Sequence, residues 1–310
     1  MTNILKKVPI PMAGLMLALA AMGNLVLSYG EIYRNIFGVL STILLVFMII
    51  KIFIDFKDVL EKLKNPAIAS VAPTFSMGIM ILSTYTNKIS PHLALSIWII
   101  GLILHIILIL YFTYKFVMKF DIKKVLPSYF VVYVGIATGS ITAPIYNLNK
   151  IGEYLFWFGL VSYIILLPII LYRLFKVKDI PEPVIPTIAI LTAPANLCLA
   201  GYISTFKEKD ILMIGFLGTL SILIFIGVLI YLPKILKIKF YPSYSALTFP
   251  LVITAIATKQ TNMFFIKQGI VMPILKYLMY FQMVLAIGIV AYVSYKYVVF
   301  LFSNTAEVKA

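Results

Sequence analysis

The side chains able to meet a solute inside the apolar stretches of this sequence are neutral. Asn24; Thr74, Ser76, Ser83 and Thr84; Thr138 and Ser140; Thr192 and Asn196; and Thr248, Thr254 and Thr258 recur in five segments. No Asp, Glu, Lys, Arg or His interrupts the central parts of those segments. Hydroxyl and amide groups replace an anion's hydration shell only weakly, so an anion that enters among them can also leave. Intramembrane carboxylates serve proton relays and coupling ions, and their absence here argues against such coupling. The competing use of a membrane Ser or Thr is a bond to its own preceding turn, and for any one residue that is the commoner role. An intramembrane enzyme needs a nucleophile–base pair or a metal cluster. Cys198 is the only cysteine, and His92 and His105 have no carboxylate set beside them. No catalytic residue, cofactor or metal site is therefore expected.

These side chains need elements to carry them across lipid. The chain has 62% hydrophobic and 12% charged residues and a mean hydropathy of +1.05, too little charge to cover a soluble surface. A spanning helix takes roughly 20 apolar residues, and ten such runs fit: 8–29, 31–54, 66–87, 92–114, 126–148, 151–174, 184–206, 210–232, 240–259 and 270–302. The runs are continuous rather than alternating, which excludes an outer-membrane barrel. The first, from Pro9 to about Leu27, leads into the second without an A-x-A-like cleavage site, so it is expected to stay in the protein.

Even-numbered spans are Leu/Ile/Val-rich, whereas odd-numbered ones carry Pro, Gly, Ala, Ser and Thr. Pro9, Pro66, Pro127, Pro186 and Pro242 open the odd spans at intervals of 57, 61, 59 and 56 residues. A second breaker follows at Pro73, Gly135, Pro194 and Pro250. This periodicity predicts a single all-α membrane domain over residues 1–310. It comprises five helical hairpins, about 8–54, 66–114, 126–174, 184–232 and 240–302. Small residues allow close packing inside the protein, and breaks at proline free backbone groups that only interior partners or water can satisfy. The odd helices are expected to be kinked and to line a central pathway, the even ones to be straight and to lie outside. Freed N–H groups at the breaks would add to the lining.

The net charge is +15, from 26 Lys and Arg against 11 Asp and Glu. The cations sit in short links, as membrane topology requires, so nucleic acid is not an expected partner. The links after even spans, with Lys6, Lys7, Lys296 and Lys309, hold 18 of them; Arg34, Lys88, Lys150, Lys207, Lys209, Lys259 and Lys267 fall on the other side. The positive-inside rule places both termini in the cytoplasm, in the plasma (inner) membrane. The lysines can also draw anions towards that side.

TFPLVITAIATK, Thr248 to Lys259, resembles the ninth helix of the tellurite-resistance/dicarboxylate transporter (TDT) family, which includes the slow-type (SLAC-like) anion channels of plants. PTIAILTAPANLCLAGY, Pro186 to Tyr202, and PAIASVAPTFSMGIM, Pro66 to Met80, are similar to that family's seventh and third helices. The resemblance covers essentially the whole chain. It implies a homotrimer in which each protomer has its own pore lined by odd helices. It also implies a gating phenylalanine in the ninth helix, here Phe249, with Pro250 beside it. Thr248, Thr254, Thr74, Phe75, Ser76, Thr138, Ser140, Thr192, Asn196 and Asn24 are the candidate pore-lining residues. Plant members are controlled by phosphorylation of long cytoplasmic tails, which this sequence does not show.

The expected function is passive passage of small inorganic anions, and of small carboxylates, through a neutral pore in the lipid bilayer. The alternative is a secondary transporter for C4-dicarboxylates such as malate, or for tellurite-type oxyanions, using alternating access.

Overall fold

The computed structural model describes residues 2–303, so Lys309, counted above, lies outside the described residues. Those residues form helices and no strand. In chain order the α-helices are α1 (Thr2–Lys7), α2 (Met12–Val26), α3 (Glu31–Ile54), α4 (Phe56–Lys62), α5 (Pro66–Val71), α6 (Thr74–Thr86) and α7 (Pro91–Phe112). They continue with α8 (Tyr129–Tyr133), α9 (Ala137–Thr142), α10 (Asn149–Tyr172), α11 (Ala193–Thr205), α12 (Ile211–Lys237), α13 (Thr248–Lys267) and α14 (Pro273–Phe302).

Among the described residues, nine helical stretches are long and apolar enough to cross a membrane. The stretch matching the ninth predicted span is not among them. It extends beyond the expected 259 to Lys267, and Lys259, Gln260, Thr261 and Asn262 lower its hydropathy. Those polar groups are placed at its far end: Lys259 Nζ donates to the Leu25 carbonyl at 2.7 Å and to Ser28 Oγ at 2.8 Å.

Burial separates the spans into two kinds. Between 72% and 83% of residues are buried in the first, third, fifth and seventh, against 22–33% in the second, fourth, sixth, eighth and tenth. The Leu/Ile/Val helices expose one apolar flank after another, as lipid contact demands. The first four buried spans and α13 touch in order and close on themselves: α2 on α6, α6 on α9, α9 on α11, α11 on α13, and α13 back on α2. Each exposed helix lies against the buried span before it.

Small side chains permit this closeness. A Cβ on Gly14 of α2 would stand 3.1 Å from Ser245 Cβ, so the first and ninth spans approach there at backbone distance. Side-chain bonds then pin neighbours together: Ser41 Oγ to the Met16 carbonyl at 2.7 Å, Ser70 Oγ with Ser128 Oγ at 2.6 Å, and Trp98 Nε1 to Thr142 Oγ1 at 2.7 Å.

Two of the exposed helices, α7 and α12, start on side-chain caps. Asp210 accepts from Leu212 N and Ser90 from Leu93 N, with Pro91 in the first turn of α7. That is where a proline's missing N–H costs nothing. Pro168 and Pro233 lie inside α10 and α12, which nonetheless run unbroken.

Candidate functional site

A cavity of about 390 Å³ is lined by residues from all five buried spans. Its mouth is made by Pro9, Lys62, Asn65, Pro183, Tyr241 and Ser243, which are exposed or half-buried. Its floor is made by Gly14, Thr74, Met77, Ala193, Pro194, Leu197, Phe249 and Pro250, all buried. Phe249 is 5% exposed. Between mouth and floor the wall is apolar, with Ile68, Val71, Phe130, Val131, Val184 and Ile190.

The floor lies where the buried spans change conformation. The third passes from α5 to α6 at Ala72–Pro73. The fifth passes from α8 through a 3-10 turn, Val134–Ile136, to α9. The seventh begins as a 3-10 helix, Glu182–Thr192, before α11; the ninth as a 3-10 helix, Pro242–Leu247, before α13. An eleven-residue 3-10 helix is unusually long, since its poorer hydrogen bonds normally confine such runs to 3–4 residues; Pro183 and Pro186 impose it here.

Pro73, Pro194 and Pro250 therefore do not kink continuous helices. Pro73 immediately precedes α6, and Pro194 and Pro250 occupy the first turns of α11 and α13, where proline is tolerated. The N-terminal ends of α2, α6, α11 and α13 meet at the floor, and such ends carry partial positive charge. The expected freed N–H groups are not seen at the first span: Met12, Ala13 and Gly14 donate to the Pro9, Ile10 and Pro11 carbonyls at 2.9–3.1 Å.

Of the candidate residues, the cavity brings together Thr74, Phe249 and Pro250. Thr74 Oγ1 also donates to the Val71 carbonyl at 2.7 Å. The others lie outside its lining. Thr248 Oγ1 donates to Ser245 O at 2.6 Å, with Gly14 O at 3.2 Å, and Thr192 Oγ1 to Ala189 O at 3.0 Å. Ser76 sits 2.8 Å from both the Pro73 carbonyl and His105 Nδ1. Ser140 bonds Thr205 between the fifth and seventh spans. Asn196 is shared among Thr192, Thr254 and Ser221, and Thr254 also donates to Pro250 O at 2.7 Å. Asn24 Oδ1 accepts from Arg34 Nε at 3.0 Å. Phe75 is half-buried against the core. Thr138 Oγ1 is buried with no hydrogen-bond partner.

Sequence reasoning missed the residues at the mouth. Lys62 and Asn65 lie in the link between the second and third spans, Lys62 ending the short helix α4, and Asn65 caps α5 by accepting from Ala67 N at 2.9 Å. Lys62 Nζ pairs with Asp58 Oδ2 at 2.7 Å. Hydrogen bonds from Lys62 and then Lys51 hold the Asp58 carboxyl below the usual carboxylate range, against a smaller opposing effect of burial. His105 likewise has partners that sequence reasoning did not identify. It is fully buried between the third and fifth spans, with Nε2 3.1 Å from the Val132 carbonyl. Arg34, counted as a loop cation, lies 4.0 Å from the Tyr85 ring centre and reaches Thr84 O at 3.1 Å.

Two comparisons with known proteins bear on this site. The family model described as voltage-dependent anion channel matches residues 8–298, which takes in all five buried spans and the whole cavity. No curated protein matches the chain.

Proposed function

We propose a function from one premise: this chain belongs to the voltage-dependent anion channel family. It conducts small anions passively through the axis of the five buried spans, and Phe249 is the gate. The observation that carries this reading is that Phe249 and Pro250 floor a chamber on which the restarts of the split spans converge. An anion reaching that floor meets the positive ends of α2, α6, α11 and α13 and no fixed charge. Such a site ranks anions by size and dehydration cost, so chloride, nitrate and small carboxylates such as malate all qualify. Rotation of the Phe249 ring about its side-chain bonds opens the floor; its ring fills it at rest.

The five hairpins, each a buried span with the exposed helix after it, place ten helices across the bilayer, α13 included. The lysine-rich side carrying the cavity mouth faces the cytoplasm of the plasma (inner) membrane, with both termini. The assembly is a homotrimer with one pathway per protomer, as the family resemblance implies; the mass of the detergent-solubilised complex tests that.

A secondary transporter for C4-dicarboxylates or tellurite-type oxyanions is the second reading. One observation favours it: the cavity has exposed and half-buried residues at one end and buried ones, Phe249 among them, at the other, which suits the one-sided access an alternating cycle passes through. Uptake into liposomes separates the two. A channel gives anion flux that follows the anion gradient alone, and a coupled transporter gives saturable malate uptake that stops when a proton or sodium gradient is collapsed.

A further inference from the structure

Among the described residues, Lys62 is the only charged side chain lining the cavity. Its ammonium does not stand alone. Asp58 Oδ2 is 2.7 Å away, and the same oxygen is 2.9 Å from Lys51 Nζ. Lys51 in turn lies 2.8 Å from Asp55 and donates to the Lys6 carbonyl at 3.0 Å, with its side chain 5% exposed. A row of alternating charge thus runs from the buried end of α3, across α4, to the mouth.

An exposed i,i+4 pair on a short helix is ordinarily loose and contributes little. Here Asp58 is different, because a buried ammonium holds it. Losing Asp58 would leave Lys51 only Asp55 and the Lys6 carbonyl to compensate a largely buried ammonium. We propose that Asp58 sets the charge of the cavity mouth: fixed by Lys51, it cancels Lys62 and so limits how strongly the mouth collects anions. This rests on the reading of the cavity as an anion pathway. A bare ammonium beside an apolar wall raises the local anion concentration, whereas an ammonium with a carboxylate at 2.7 Å presents only a short-range dipole. Two further charges flank Tyr241 at the mouth. Glu182 Oε1 accepts from the Tyr241 hydroxyl at 2.9 Å, and Lys239 lies 5.7 Å from the same ring centre.

The test uses the full chain carrying Phe249→Ala as an open background, reconstituted in liposomes, with chloride flux measured from about 10 mM to about 1 M salt. Asp58→Asn should raise flux about threefold at the lowest salt and lose that advantage at the highest, where the Debye length is about 3 Å. Lys62→Gln should lower flux at low salt, and the double variant, in which both partners are neutral, should return to the flux of the background. If Asp58→Asn does not fold, Lys62→Glu carries the test and should lower low-salt flux below that of Lys62→Gln. Charge variants that leave flux unchanged at every salt, in a background that conducts, overturn the proposal while the anion pathway stands. A background that passes no anion overturns both.

Discussion

Asn196 Nδ2 lies 3.0 Å from Thr254 Oγ1, and this bond ties α11 to α13 just beyond Pro194 and Pro250. Asn196 also donates to Thr192 O at 2.6 Å and accepts from Ser221 Oγ at 2.6 Å. A single amide therefore braces the two spans that carry floor prolines, and it anchors both to α12. All of these groups are buried, where an unmade hydrogen bond costs the full desolvation of the orphaned group.

Asn196→Leu should accordingly destabilise the protein by about 1–3 kcal/mol, read as an earlier thermal unfolding transition in detergent. Adding Ser221→Ala should recover part of the loss, because it removes the orphaned donor and the two sites share one network. Equal transitions for parent and Asn196→Leu would mean that the amide is not a brace.

His105 should behave as a second strut. Its ring bridges Ser76 in the third span and the Val132 carbonyl just before the 3-10 turn of the fifth. His105→Phe keeps the ring volume but leaves both partners without it, and should cost about 1–3 kcal/mol. The same unfolding assay checks this, and a variant as stable as the parent contradicts it.

At Gly14 the floor leaves no room. A Cβ there would already press on Ser245 Cβ and Oγ at 3.1 Å, and a longer side chain projects into the chamber that Gly14 lines. Gly14→Leu placed in the Phe249→Ala background should abolish most of that background's anion flux. Unchanged flux would show that anions do not pass the chamber floor.

The Asp58 network should also show in the pH dependence of stability. The carboxyl is held below its ordinary range by Lys62 and Lys51, so the unfolded chain takes up a proton there first as pH falls. The stabilisation is fully present above the ordinary carboxylate pKa and is lost as pH drops through the lowered one. Thermal stability of the parent should fall through that acid window, and Asp58→Asn should flatten the fall. An identical pH profile in both proteins would rule the network out as a source of acid sensitivity.

Much of this architecture was legible in residue type and spacing. Composition alone implied lipid, and the alternation of Leu/Ile/Val spans with Pro/Gly/Ser/Thr spans separated exposed from buried helices. Pro73, Pro194 and Pro250 marked the breaks, although they restart helices rather than bend them, a distinction that depends on hydrogen bonding one turn away. Phe249 was reached through a family resemblance, since nothing in its local sequence distinguishes it from the chain's other phenylalanines. The hydroxyls were harder to read. A Ser or Thr in a membrane helix satisfies itself locally whenever it can, and Thr192, Thr248 and Thr254 do so. Lys62 at the mouth and His105 between spans were illegible, because each role depends on a neighbour 27 or more residues away or on the packing of a link. The far end of α13 looked like loop because Lys259 to Asn262 are polar, and their partners come from other spans.

The most direct test of the gated pathway is anion flux through purified protein in liposomes under a chloride or nitrate gradient, comparing the parent with Phe249→Ala. A ring that closes the floor predicts a large rise in flux in the variant, indifferent to proton and sodium gradients. Equal flux in the two proteins, or malate uptake by the parent that depends on such a gradient while neither protein passes chloride, would contradict it.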